Sequence, residues 1–158
     1  WDEAFGLMDG LMSSGMQDCM PQRIQHVRKY IHRFLAGGPE DCLKHVILSA
    51  LLQAFASDGC PFTYIDAHAG AGLYDLFSED AQVFCNYREG CQQIVRGRAQ
   101  LTSTLQQLYS CWGRWNAILG GKNGNNFRYY LGSACLALQW LRYQDEAFFY
   151  EVSSQAVS

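Results

Sequence analysis

The feature that most constrains this chain is a short apolar run closed by an acid and a glycine-rich turn. Phe62-Thr63-Tyr64-Ile65-Asp66 favours a β-strand and is bounded by Pro61. Ala67-His68-Ala69-Gly70-Ala71-Gly72 follows at once. Glycines placed directly after a strand let the backbone turn tightly and come close to a ligand. A strand that ends in an acid and such a turn is the entry to a Rossmann-type unit. Alone, a G-x-G turn is weak and serves equally well as a plain turn. Its weight comes from a second strand, expected over Ala147 to Val152, which ends near Glu151. A carboxylate there is positioned to accept hydrogen bonds from ribose hydroxyls. Without the glycine loop, Glu151 would read as a solvated charge at a strand end.

The rest of the chain supplies helices to cover such strands. Residues 1 to 20 are rich in Met and Gly and read as an extension, with 1–29 set apart from a main unit over 30–158. Ile24, Val27, Ile31, Phe34 and Leu35 recur at helical steps over 21–36, and Gly37-Gly38-Pro39 stops that helix. A second helix begins at Glu40 or Asp41 and carries a wide apolar stripe through Leu43, Val46, Ile47, Ala50, Leu51, Ala54 and Phe55. Ser57-Asp58-Gly59 ends it. Residues 73 to 86 read as a loop with a short helical turn, and 88 to 118 as one or two helices. A loop over 120–126 and a short extended piece over 127–130 come next. The pattern then predicts a helix from Ser133 to Tyr143. No repeat or low-complexity tract occurs. The fold class is α/β.

Composition narrows the function. The 158 residues suit a single domain. A formal net charge of -3 argues against a surface that embraces nucleic acid all round. Locally, Arg23, Arg28, Lys29, Arg33 and Lys44 stand against Glu40 and Asp41. The 7 Cys include no C-x-x-C pair, so no metal site is expected. Reduced, mostly buried thiols in an intracellular protein are the reading, with Cys42, Cys60, Cys111 and Cys135 among apolar neighbours. No stretch is long and apolar enough to span a membrane, and no signal peptide is visible.

Several ordered motifs carry a family resemblance. Tyr30-x-His32-x-Phe34-x-Ala36-Gly37-x-x-x-Asp41-x-Leu43-Lys44-His45 is similar to the N-terminal signature of bacterial large-subunit (23S) rRNA adenine-N6 methyltransferases of the RlmJ type. Asp66 to Tyr74 resembles that family's D-x-H-A-G-A-G-x-Y. Tyr87-Arg88-Glu89-Gly90, Arg128-Tyr129-Tyr130-Leu131-Gly132-Ser133, Gln144-Asp145 and Glu151 follow in the family's order. The resemblance implies a Rossmann-like fold dependent on S-adenosylmethionine, here its N-terminal half with a helical extension. It also implies that His45, His68, Ser133 and Glu151 contact the cofactor, beside Asp66, Gly70 and Gly72 at the loop. Lys44 matches a functional lysine near the transfer site. Otherwise His45 reads as a core histidine and Lys44 as a solvated helix charge.

The chain also departs from the family. Leu35, Gly38 and Pro39 stand where the family has His, Asn and His, Leu73 replaces a common Arg, and Leu131 replaces a Pro. The family's D-P-P-Y motif has no counterpart, for no Asp-Pro or Asn-Pro pair occurs. In adenine-N6 chemistry that motif bonds the exocyclic amine and stacks on the flipped base. A lone strand pair also leaves sheet edges and apolar surface uncovered. These departures point to a non-catalytic accessory subunit, binding S-adenosylmethionine or nothing, with other protein subunits covering the open sheet edge. A bacterial family with an added N-terminal segment then suggests a plastid or mitochondrion. The competing reading is an rRNA adenine-N6 methyltransferase whose C-terminal half lies outside this chain, with rRNA as partner. A cofactor-binding sensor is the third.

Overall fold

A computed structural model describes residues 32–97, 100–123 and 126–153. The N-terminal extension and the expected helix as far as residue 31 lie outside the described residues. At its end that helix is replaced by a 3-10 turn, His32–Phe34. The reason is local. Leu35 N donates to His32 O at 2.9 Å, and Gly37 then takes a left-handed conformation (φ 78°) that a helix cannot absorb.

Helix α1 runs Pro39–Asp58. Pro39 sits in its first turn, where the missing N–H has no partner to lose, and Glu40 and Asp41 face the positive end of the helix dipole. Gly59, left-handed at φ 81°, closes it. The wide apolar stripe expected from the sequence is not the buried face of this helix, for none of its residues is buried. Cys42, His45, Ser49 and Leu52 are buried, whereas Leu43, Ile47, Leu51 and Phe55 are exposed.

The order continues with β1 (Thr63–Asp66), β2 (Leu73–Asp75), α2 (Glu79–Phe84), a 3-10 turn at Asn86–Arg88 and α3 (Cys91–Arg96). Then come α4 (Ser103–Ile118), β3 (Lys122–Asn123), β4 (Asn126–Phe127), β5 (Tyr129–Leu131), α5 (Ser133–Ala137) and β6 (Glu146–Phe149). Three differences from the expected pattern stand out. The stretch after the glycine loop holds a strand, β2, as well as the short helix α2. The loop over 120–126 contains a two-residue ladder between β3 and β4. Helix α5 stops at Ala137, because Gln139 N and Trp140 N bond three residues back and tighten the chain into a turn.

Strands β1 and β6 pair in parallel, Thr63 with Glu146 through Asp66 with Phe149. Strands β2 and β5 pair antiparallel, Tyr74 opposite Tyr130. The core lies under this second pair, where Leu76, Val95, Leu108, Trp112, Leu131 and Leu136 are buried. Asn116, fully buried on α4, locks it. Its amide donates to Trp112 O and Tyr129 O at 2.9 and 2.8 Å, and its carbonyl accepts from the N–H groups of Arg128 and Tyr129, both at 2.9 Å. All four polar positions of the amide are thereby used, which a buried Asn requires.

The parallel pair is open, as expected. Ile65 is 64% exposed, and Phe148, Phe149 and Tyr150 are exposed with it. Of the thiols, Cys42, Cys91 and Cys111 are buried, but Cys60 is exposed, because it lies in the bend between α1 and β1 rather than among apolar neighbours. Among the described residues no helix is long and apolar enough to cross a membrane, and no group of His, Cys, Asp or Glu is arranged to hold a metal ion.

Candidate functional site

The loop at the carboxyl end of β1 is built around two carboxylates. Asp66, the last residue of the strand, accepts through Oδ2 from the hydroxyls of Ser133 (2.6 Å) and Tyr64 (3.1 Å). Its Oδ1 accepts from the backbone N–H of His68 at 3.0 Å. Glu151, just beyond β6, accepts through Oε2 from Gly70 N at 2.9 Å and through Oε1 from Ser153 N at 2.6 Å. These backbone N–H groups, with that of Val152 and the nearby His68, hold the Glu151 carboxyl below its ordinary value. Backbone bonds from Ala69 N to Tyr150 O and from Tyr150 N to Asp66 O fasten the two strand ends together.

Gly70 and Gly72 are both left-handed, at φ 61° and 71°. A side chain at Gly70 would collide with the Tyr74 hydroxyl, and one at Gly72 would meet Cys135 Sγ at 3.1 Å. The loop is therefore glycine-rich partly so that Tyr74 can lie beneath it, its hydroxyl accepting from Ala71 N at 3.2 Å. Gly132 N donates to Gly72 O at 2.7 Å, and this bond sets Ser133, at the start of α5, against Asp66.

A second cluster adjoins the first. Asp41, on the first turn of α1, is buried at 4% exposure. Its Oδ2 meets His32 Nε2 at 3.0 Å and Gly37 N at 3.1 Å, and its Oδ1 meets Lys44 Nζ at 3.0 Å. Burial pushes the Asp41 carboxyl up, but His32 and Lys44 outweigh it and hold the value at about 2. The His32 ring stands edge-on to Tyr74, centroids 5.2 Å apart, so Tyr74 links this cluster to the glycine loop. His45, 6% exposed, stacks on Tyr130 and shares a 2.7 Å hydrogen bond between Nδ1 and the tyrosine hydroxyl. Burial drives the imidazole down to about 4, so it is neutral near pH 7.

The structure thus brings Asp66, Gly70, Gly72, Ser133, Glu151 and the backbone of His68 into one loop site, with the His68 ring exposed at its edge. Lys44 belongs to the Asp41 cluster. His45 lies inside the packing of α1, with Tyr130 as its hydrogen-bond partner. Sequence reasoning passed over Asp41, His32, Tyr64, Tyr74 and Tyr130 as site residues. Their only signal lay in the family spacing, which holds His32 and Asp41 in the first signature and Tyr74 after the glycines.

The comparisons with known proteins bear on this geometry. The family described as "Ribosomal RNA large subunit methyltransferase D, RlmJ" matches residues 59–157, well over half of the chain. The chain belongs to the RlmJ family. It is 35% identical over 116 residues to Ribosomal RNA large subunit methyltransferase J of Escherichia coli (strain K12), covering 73% of this chain and 39% of that protein. The protein of the same name from Haemophilus influenzae is 32% identical over 123 residues, 78% of this chain and 42% of its own length. Among solved structures, protein LPL1258 of Legionella pneumophila superposes with a TM-score of 0.66 at 28% identity, covering 77% of this chain and 42% of that one. The fold is therefore the Rossmann-like α/β fold of these methyltransferases. The chain spans about two-fifths of the length of the curated relatives it matches.

The loop fits the cofactor that the family implies. Glu151 takes backbone donors from Gly70, Ser153 and Val152, and its two oxygens keep acceptor capacity for a hydroxyl. Two carboxylates within one loop also suit a ligand that carries positive charge.

Proposed function

We propose that this chain forms the cofactor-binding portion of an S-adenosylmethionine-dependent methyltransferase that acts on adenine of large-subunit ribosomal RNA. The observation that carries the reading is the closure of the glycine loop by Glu151, whose Oε2 accepts from Gly70 N at 2.9 Å. That bond joins the ends of two parallel strands around one loop, the place where open α/β sheets bind ligands.

In this reading Glu151 accepts from the ribose hydroxyls with its spare lone pairs. Asp66, engaged with Ser133, Tyr64 and His68, fixes the loop rather than the ligand. S-adenosylmethionine, when bound, supplies the methyl group from its sulfonium. Lys44, held with His32 on one buried carboxylate, is taken in this reading to serve near the transfer site, and Tyr74 links that cluster to the loop.

The accessory-subunit reading rested most on the missing Asp-Pro motif, beside the lost polar residues, the acidic net charge and the open sheet edge. A chain that spans about two-fifths of its relatives gives that absence no weight, and the family favours the enzyme. The exposed Ile65, Phe148 and Phe149 fit two strands of a larger sheet. The test is calorimetric titration of S-adenosylmethionine and S-adenosylhomocysteine, with Glu151→Ala as control, followed by transfer of labelled methyl to large-subunit rRNA. Micromolar binding lost in the variant supports the reading. No heat at millimolar ligand, from folded protein, overturns it.

A further inference from the structure

Charge in this chain is segregated along the sequence. Residues 90–144 hold six of the 12 Lys and Arg and none of the 15 Asp and Glu. The net charge of -3 therefore hides a run that is wholly cationic. Four of the described cations are neutralised. Arg33 pairs with Asp80, Lys44 with Asp41, Arg128 with Asp75 and Arg142 with Asp145. Arg88, Arg96 and Arg114 have no carboxylate partner among the described residues.

Two of those three converge. An open cleft of about 500 Å³ is lined by Phe77, Tyr87, Arg88, Gln92, Arg96 and Asn126, with no acid on its walls. Its floor is fixed. Tyr87 is buried, and its hydroxyl accepts from Gln82 Nε2 at 2.8 Å while the same amide donates to Leu76 O at 2.6 Å. The Arg88 guanidinium lies 5.9 Å from the Tyr87 ring centroid. Gln92 is 6% exposed, and its side chain hydrogen-bonds to nothing among the described residues, so its amide is left to the cleft. Phe77 is exposed beside it.

We propose that this cleft is a binding site for the sugar–phosphate backbone of the RNA, apart from the cofactor loop. The inference rests on the reading of the chain as an RNA methyltransferase. Arg88 and Arg96 supply two planar, permanently charged forks for phosphate oxygens. Gln92 and Asn126 supply amides that both donate and accept, the chemistry a ribose hydroxyl needs. Phe77 offers a face on which an unstacked base can rest. An acidic peptide would use the arginines but leave the amides and the aromatic without work, which favours RNA.

The test is fluorescence anisotropy of a labelled RNA stem-loop from large-subunit rRNA, titrated across salt concentrations. The proteins compared are the unaltered protein, Arg88→Gln with Arg96→Gln, and Arg114→Gln as a cation removed elsewhere. The double variant is expected to bind roughly ten- to a hundredfold more weakly at low salt, with a log–log salt slope shallower by about two. Arg114→Gln is expected to change the affinity by less than about threefold. Equal losses in both variants would mean general charge, not this cleft, and would overturn the proposal, as would no loss at all. So would polyglutamate that displaces the RNA at equal charge concentration. Calorimetry with S-adenosylhomocysteine on the same samples separates the two readings. RNA bound through the cleft without cofactor binding would leave the cleft standing and remove the enzyme, and the converse would remove the cleft alone.

Discussion

Glu151 Oε2 accepts from Gly70 N at 2.9 Å, joining residues 81 apart in the chain. The bond lies where β1 gives way to the glycine loop and where β6 ends, so one side chain adds to the backbone bonds that hold both strand ends together. Beneath the same loop, Tyr74 fills the space that a side chain at Gly70 would need.

Gly70→Ala is therefore expected to destabilise the protein by about 1–3 kcal/mol, from left-handed backbone strain and the collision with the Tyr74 hydroxyl. Tyr74→Phe removes the colliding oxygen but also the acceptor for Ala71 N. The double variant should lose less than the sum of the two single losses, because the phenylalanine leaves room for the added methyl. Chemical denaturation of the four proteins checks this. Strict additivity would mean that the ring moves aside freely and that the contact does not shape the loop.

Asp41 makes an acid-sensitive prediction. Its carboxyl is held at about 2, below the ordinary 3.8, so the folded state binds its proton more weakly than the unfolded state. The stability it contributes is complete above about pH 4 and is lost as pH falls toward 2. Asp41→Asn should cost about 2 kcal/mol at neutral pH and flatten stability across that acid window. Urea unfolding measured from pH 5 down to pH 2 reads both effects. An unchanged acid limb in the variant would show that His32 and Lys44 do not hold the charge.

How much of this was legible in the sequence depends on the range of the interaction. The turn after β1 was readable because an acid and two glycines after a β-favouring run form a local pattern, and Glu151 was readable from its place at the next strand end. Strand β2 was not, since three residues, Leu73 to Asp75, are too short to show alternation and exist only by pairing with β5. The end of α5 at Ala137 was hidden because Leu138 and Leu141 continue an apolar helical spacing past the point where the chain turns. Apart from its place in the family spacing, Asp41 carried no sign of its role. Its donors come from a 3-10 turn before it and a lysine after it, and only the fold shows that one buried carboxylate serves both. The stripe read on α1 was likewise its uncovered face, because periodicity reports apolar residues and not which of them are covered.

Arg142 should be intolerant of lysine. Its guanidinium bonds Ala56 O at 2.8 Å, Cys60 O at 2.6 Å and both oxygens of Asp145 at 2.9 Å, while Asp145 Oδ1 also accepts from Phe62 N at 3.2 Å. One planar fork thus ties the end of α1 to the start of both parallel strands. An ammonium has a single point of charge and cannot reach acceptors spread around that plane. Arg142→Lys is expected to lower the melting temperature nearly as far as Arg142→Ala. A lysine variant that melts with the unaltered protein would show that charge alone suffices.

His45 acts in a different pH range from Asp41. Burial drives its imidazole down to about 4 from 6.5; Lys44 and His32 add to the shift, while Asp41 and Asp66 oppose it. The unfolded chain therefore takes up a proton that the folded state refuses. Stability is unaffected by this group above about pH 6.5 and falls as pH drops from there toward 4, by about 3 kcal/mol in all. His45→Gln keeps a polar partner for the Tyr130 hydroxyl but cannot be protonated. It should remove the decline between pH 6.5 and 4 and leave the later one, below pH 4, in place. Because the His45 window closes where the Asp41 window opens, one urea series over the whole range resolves both. A glutamine variant that declines as the unaltered protein does between pH 6.5 and 4 would assign that limb to another group and place His45 outside the control of acid stability.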